Sequence, residues 1–203
     1  MKLIWLRHGE TNPNRERRYC GHLDPPLNEK GRCQAEAAAS RLAVEPVVQV
    51  VASDLLRARQ TAAPLLRQLS TATMQVTPLL RELSFGEWEG WTYEEIHWRN
   101  PQALHRWLSD PVHLSPPGGE TMTQLGSRLD RWLNEVLRQH AGTGSRVIAV
   151  THGGPLRWFI SRYLKQDPAS FWERSIPHGG MLSVKWDRNR WREHPLEDWS
   201  EGS

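Results

Sequence analysis

The chain has 203 residues, 38% of them hydrophobic and 24% charged, and its 26 basic and 23 acidic side chains leave a formal net charge of +3. That length suits one domain with a full hydrophobic core, and a charge of +3 falls short of the basic face a nucleic-acid partner demands. Apolar runs too short to cross a membrane, an opening too short for a secretory leader and two cysteines without metal or redox spacing (Cys20 and Cys33) exclude membrane and secreted classes and predict free thiols in a reducing cytoplasm.

In chain order, Leu3-Ile4-Trp5-Leu6 is an apolar run too brief for a helix that ends in Arg7-His8-Gly9. That pattern predicts a buried strand delivering reactive side chains to the top of an α/β sheet. Arg15, Arg17 and Arg18 cluster soon after, where an anionic substrate would use them. Asn28 to Ala43 reads as a helix with Gly31 near its start and alanines on a packing face. Val47–Ser53 reads as a second buried strand, followed by a helix from Asp54 with Ser53 or Asp54 as its N-cap. Arg57 then falls in the first helical turn, where free N–H groups already favour an anion. Met74 to Pro78 is strand-like, and Arg81 to Gly90 forms an acidic and aromatic loop. Thr92 to Trp98 and Gln102 to Leu108 read as short helices broken by Pro101. With the turn at Pro116-Pro117-Gly118-Gly119 they make an insertion, about 86–120, able to cap a site. Thr121 to His140 carries Met122, Leu125, Leu129, Trp132, Leu133 and Val136 at helical spacing. Gly142 to Ser145 lacks the lysine of a nucleotide-binding loop and reads as a plain turn. Val147-Ile148-Ala149-Val150 repeats the opening pattern, ending in Thr151-His152-Gly153-Gly154. Pro155 to Leu164 is a helix with proline in its first turn. Met181 to Trp186 reads as the last strand, and the polar tail from Asp187 (about 187–203) is expected to fray. Alternating strands and helices predict an α/β fold, its largely parallel sheet covered by helices on both faces.

A lone histidine after a strand is usually a packing or turn residue. Two such strands, each ending in His-Gly, bring two imidazoles to one sheet edge, and an arginine beside the first makes a phosphate-handling set. Guanidinium binds oxyanions in a fork, and imidazole can attack or donate. His22 and His178 read as loop residues, with pocket lining as the alternative. Glu87 and Glu89 read as loop structure beside Trp88, although either could compete with Glu82 as an acid. Among the eleven tryptophans, Trp88, Trp91, Trp98 and Trp107 crowd the insertion, where packing is favoured over stacking on a ring-bearing substrate.

Arg7-His8-Gly9-Glu10-Thr11, Ser53-Asp54-Leu55-Leu56-Arg57-Ala58, Glu82 before Phe85-Gly86, and Thr151-His152-Gly153-Gly154 occur in the order found in the histidine phosphatase superfamily. The resemblance covers roughly the first four-fifths of the chain. Within the family, Tyr19-Cys20-Gly21-His22, Phe85 to Gly90, and Trp107 with Pro116 to Glu120 are most similar to the α-ribazole phosphatase-like branch. The resemblance implies one phosphoglycerate mutase-like domain over 1–203, a three-layer α/β/α sandwich. It implies hydrolysis of a small phosphomonoester without metal or other cofactor, α-ribazole 5′-phosphate of cobalamin assembly being one substrate. His8 would be the nucleophile and Glu82 the acid that turns base, with Arg7, Arg57 and a protonated His152 neutralising the phosphate. Asn14, Cys20, Gly21 and Gly153 would contact substrate, with a thiol at Cys20 where relatives often carry a hydroxyl. A phosphoglycerate mutase is the first alternative; such relatives carry a longer basic insertion after the acid and usually His-Gly-Asn at the second motif, and both differences favour hydrolysis. A broad-specificity or phosphoprotein-directed phosphatase with a regulatory role is the other. A metal hydrolase would need His-Glu-x-x-His or comparable ligand spacing, which the chain lacks.

Overall fold

The computed structural model describes residues 1–43 and 46–196. Its elements are β1 (Lys2–Arg7), α1 (Asn12–Arg15), α2 (Glu29–Leu42), β2 (Val47–Ser53), α3 (Leu56–Gln68), β3 (Thr73–Thr77), α4 (Tyr93–Arg99), α5 (Pro101–Ser109), α6 (Met122–His140), β4 (Arg146–Thr151), α7 (Gly153–Phe159), β5 (Met181–Asp187) and β6 (Arg190–Glu193). The six strands form one sheet in the order β3-β2-β4-β1-β5-β6. β3, β2, β4 and β1 run parallel, and β5 pairs antiparallel with both β1 and β6.

Alternation along the central strands builds the layers. In β1, Leu3 and Trp5 enter one core while Ile4 and Leu6 enter the other, as a period of two requires. The first core joins Val147 and Ala149 of β4 to Leu129, Trp132 and Leu133 of α6 and Phe159 of α7. The second joins Val50, Ile148 and Val150 to Ala38, Ala39 and Leu42 of α2 and Ala58, Ala62 and Leu65 of α3. Alanines at these contacts let the two helices lie close to each other and to the sheet. A third, smaller core of Leu83, Trp88, Ile96, Leu104, Trp107 and Leu125 anchors α4 and α5 onto α6. This is the three-layer α/β/α fold that the alternation predicts.

Three local expectations are corrected. Neither Ser53 nor Asp54 caps α3: Leu55 is its N-cap residue and offers no side-chain acceptor. The Leu56 N–H instead donates to Asp24 from another loop, while Ser53 Oγ accepts from Leu55 N, so the first orphan donor of the helix is met from 32 residues away. The helix around Pro155 starts at Gly153 and gives way to a π-helical turn over Ile160–Lys165. The polar tail does not simply fray. Arg188 and Asn189, at φ 48° and 61°, make a tight turn, and β6 pairs back on β5. Trp191 is the reason, buried against Phe159 and Trp186. Residues 197–203 of that tail lie outside the described residues.

Candidate active site

β1 and β4 are neighbours in register, Arg7 opposite Thr151, and His8 N donates to the Thr151 carbonyl at 2.9 Å. The residues just past both strand ends therefore sit together: the rings of His8 and His152 are 4.9 Å apart at 58°. Gly9 lets α2 approach this edge, because a Cβ there would overlap the Gly31 carbonyl. His8 Nδ1 faces the Gly9 carbonyl at 2.7 Å. A carbonyl only accepts, so Nδ1 carries the proton and Nε2 keeps its lone pair. Arg57 Nε donates toward that Nε2 at 3.4 Å.

Arg57 is fully buried, from the first turn of α3. Its other donors reach the Leu23 carbonyl at 2.6 Å and the Gly21 carbonyl at 2.7 Å. The loop that supplies these carbonyls is tied down by Glu89, whose carboxylate accepts from the N–H groups of Gly21, His22, Leu23 and Phe85 at 2.8–3.1 Å. Glu89 is thus a loop anchor, as its place beside Trp88 suggested, and Glu87 is exposed. Arg7 donates to the Ile176 carbonyl at 2.7 Å, and its guanidinium lies against Gly153. The Glu82 carboxylate accepts from Gly154 N at 2.9 Å and Leu83 N at 2.8 Å. Its backbone carbonyl is held by Arg128 of α6, itself paired with Glu120 at 2.8 Å.

Burial, then the charge of Arg57, holds His8 well below the usual imidazole value. The same two causes lower His152, and both its ring nitrogens are buried without a protein partner. The expected protonated His152 is therefore corrected for the free protein: low dielectric beside two arginines disfavours a third positive charge. An arriving dianion would reverse that balance.

Asn14 caps α1 in a reciprocal box with Thr11, its Oδ1 accepting from the Thr11 N–H at 3.1 Å. It lines a cavity of about 380 Å³ with Arg7, Cys20, Glu82 and His178, rimmed by Arg17 and Tyr93. Burial pushes the Cys20 thiol up to about 11, so it stays protonated. Gly21 lies deeper, its N–H given to Glu89 and its carbonyl taken by Arg57. His22 is exposed, with Nε2 3.1 Å from the Glu82 carbonyl oxygen. His178 sits in the site rather than in a free loop: its ring is 5.3 Å from His8, burial and then Arg7 lower it to about 4, and its Nε2 has no protein partner. A second cavity of about 180 Å³ shares Arg7, Glu82 and Phe85 with the first and adds Gly153, Arg157 and Trp172. A larger hollow of about 750 Å³ lies along α1 and α2, lined by Glu10, Asn28 and Lys30 among others, and shares no lining residue with either cavity.

Sequence reasoning missed Arg157, Trp172 and Arg128, and left His178 open. Arg157 stands four residues after Gly153 on α7, hence on the same helix face, and that spacing was the available signal. Trp88 and Trp107 are core residues and Trp98 is 81% exposed, which favours packing over stacking for the first two. Among the described residues, no group of three His, Cys, Asp or Glu could hold a metal ion, and no helix is long and apolar enough to cross a membrane.

The profile of the histidine phosphatase superfamily, branch 1, matches residues 3–198. A bifunctional protein of Mycobacterium tuberculosis is 37% identical over 160 residues, 78% of this chain; the chain spans 43% of that protein's length. The adenosylcobalamin/alpha-ribazole phosphatase of Salmonella typhimurium is 30% identical over 184 residues, 91% of this chain and 90% of the relative. The crystal structure of the alpha-ribazole phosphatase from Shigella flexneri superposes with a TM-score of 0.87 at 27% identity, covering 100% of this chain and 99% of that one. The chain belongs to the histidine phosphatase superfamily, branch 1.

Proposed function

We propose that the chain is a phosphoric monoester hydrolase that works through a phosphohistidine on His8. One observation carries this reading: a neutral imidazole with a fixed tautomer lies beside a second histidine, between the fully buried Arg57 and the part-buried Arg7, with the Glu82 carboxyl group in the cavity that Arg7 also lines. Arg7, Arg57 and His152 meet the phosphoryl oxygens, and the dianion draws a proton onto His152. The His8 Nε2 lone pair forms the P–N bond as the P–O bond to the leaving group breaks, and Glu82 gives its proton to the departing oxygen. Water then attacks phosphorus, Glu82 takes its proton back, and His8 leaves with its lone pair. Asn14 and Gly153 are substrate contacts in this reading; Cys20 contributes a wall. The chain acts as one catalytic domain, and the segment about 86–120 caps it.

The substrate is a small phosphorylated metabolite. Likeness to the Salmonella and Shigella proteins makes α-ribazole 5′-phosphate one such ester, and a panel of metabolites scored for phosphate release places it among the rest. The mechanism is tested by rapid-quench kinetics of Glu82→Gln. Alkyl phosphates should slow by about 10²–10⁴-fold, the range of general acid catalysis. A p-nitrophenyl ester leaves without a proton, so it should phosphorylate His8 readily and show a burst as the phosphoenzyme accumulates. Equal losses on both ester types with no burst would remove Glu82 from the role of acid.

A further inference from the structure

The reaction above leaves one imidazole of the site without a task, and sheet order explains how that ring comes to be there. β1 lies between β4 and β5, parallel to the first and antiparallel to the second. The edge at which β1 and β4 end is therefore the edge at which β5 begins, Met181 opposite Leu6. His152 follows β4 and flanks His8 on one side. His178 precedes β5 and flanks it on the other, its ring 5.3 Å from that of His8 at 51°.

The turn that carries His178 is clamped onto the strand that delivers the nucleophile. Gly180 N donates to the Pro177 carbonyl at 2.9 Å, and Gly179 takes φ 73°, as a type II turn requires of its third residue. Gly179 N reaches the Arg7 and His8 carbonyls at 3.1 and 3.2 Å, and Arg7 N donates to the Gly180 carbonyl at 3.0 Å. A Cβ on Gly179 would stand 2.7 Å from the Gln34 Cβ, so α2 closes the turn from outside. The ring held this way lines the cavity with Arg7, Asn14 and Glu82, and its Nε2 is buried without a protein partner. A buried polar atom left unmet is costly, and a ligand that meets it removes the cost. Burial and then Arg7 keep the ring neutral, with a value of about 4. A neutral imidazole has one N–H, and a ligand made only of acceptors draws that proton to the nitrogen facing it.

Once His8 Nε2 engages phosphorus, the non-bridging oxygens splay around that axis, and groups on both flanks of His8 meet them. We propose that His178 is a further substrate-contacting residue, its Nε2–H donating to a non-bridging phosphoryl oxygen on the flank of His8 away from His152. The inference rests on the hydrolase reading and adds a donor to it. Arg7 and Arg57 bring charge to the phosphoryl group, whereas His178 brings a directed hydrogen bond without charge. Because the contact is to the phosphoryl group, it serves every ester alike.

The test pairs an NMR titration of wild type carrying ¹⁵N-labelled histidine with kinetics of His178 variants. Inorganic phosphate should shift a ring resonance that is missing from His178→Leu, and should fix that ring as the Nε2–H tautomer. His178→Leu should lower kcat/KM by about ten- to a hundredfold, the worth of a hydrogen bond to a charged group. The factor should be similar for p-nitrophenyl phosphate and glycerol 3-phosphate, and inorganic phosphate should become a weaker competitive inhibitor. His178→Gln, whose amide can bring an N–H close to the place of Nε2, should recover part of the loss. His113→Leu, exposed on the insertion, should match wild type. A His178 resonance indifferent to phosphate, in wild type that hydrolyses p-nitrophenyl phosphate, overturns the contact alone and needs no variant to fold. A loss confined to one ester, with phosphate inhibition unchanged, also overturns it. Wild type that hydrolyses neither ester overturns the hydrolase reading and the contact with it.

Discussion

At the scale of single residues, the site is a set of imidazoles kept neutral by their surroundings. His8, His152 and His178 are all lowered from 6.5, first by burial and then by arginine charge. Linkage fixes the sign of the consequence. The unfolded chain binds protons at these positions as pH falls below about 6.5, whereas the folded chain does not, so stability is full above that value and declines beneath it. The depressed carboxyls, Glu10 and Asp54, lose their contribution only at lower pH, below the ordinary carboxylate range. Urea midpoints should therefore be level from pH 8 to 7 and fall steadily from pH 6.5 to 4.5. His178→Asn should make that fall shallower, and a level midpoint down to pH 5 would show that the histidines titrate normally. Arg7, His8 and His152 were legible in the sequence because each follows an apolar run too short for anything but a strand. His178 was not, since it reaches the site through a loop tied to β1 by long-range hydrogen bonds: Gly179 N donates to the Arg7 and His8 carbonyls, and Arg7 N donates to the Gly180 carbonyl. Nothing in a local window reports that contact.

At the scale of elements, long amphipathic segments declared themselves and the elements built from borrowed parts did not. α6 carries its apolar positions at helical spacing from Met122 to Val136, and the structure buries all six of those the spacing picks out. β6 was hidden because Arg-Trp-Arg-Glu has one apolar residue. One tryptophan in a pocket of aromatic rings was enough to hold it. The insertion lies between these cases. Thr92 and Glu95 form a reciprocal N-terminal box and Asn100 caps the helix begun by Pro101, so α4 and α5 are written locally. Their docking depends on Trp107, which meets Trp88 edge-on at 5.6 Å and also touches Tyr19, Phe85 and Trp172. Trp107→Ala should cost about 3–5 kcal/mol, as aromatic truncation in a packed core does. It should also raise KM, because Phe85 and Trp172 wall the cavity beside Glu82. Trp98→Ala, with its ring in water, should change neither melting temperature nor kinetics. Equal effects of the two substitutions would mean that α4 and α5 do not support the site.

At the scale of the whole molecule, the sheet concentrates positive charge at one edge. The mild net charge of +3 conceals this, because several arginines outside the site are offset by acids, as Arg67 is by Glu36 and Arg81 by Asp54. Around the two histidines the balance differs: Arg7 and Arg57 spend their donors on backbone carbonyls, which carry no charge to cancel theirs. A phosphoryl dianion, as in the proposed reaction, would meet a preorganised cationic surface of low dielectric, where such charges act more strongly than in water. The same surface repels a divalent cation, and the one carboxylate of the set, Glu82, is already engaged by two backbone N–H groups. In the proposed reaction, guanidinium and imidazole supply the charge neutralisation for which a metal would otherwise serve as Lewis acid. Hydrolysis of p-nitrophenyl phosphate should therefore persist undiminished in excess chelator and gain nothing from added magnesium or zinc. It should fall with added inorganic phosphate or vanadate, which would compete for the same arginines. Loss of activity on chelation, restored by a divalent cation, would mean that the arginines do not carry the charge and that the phosphohistidine route is wrong.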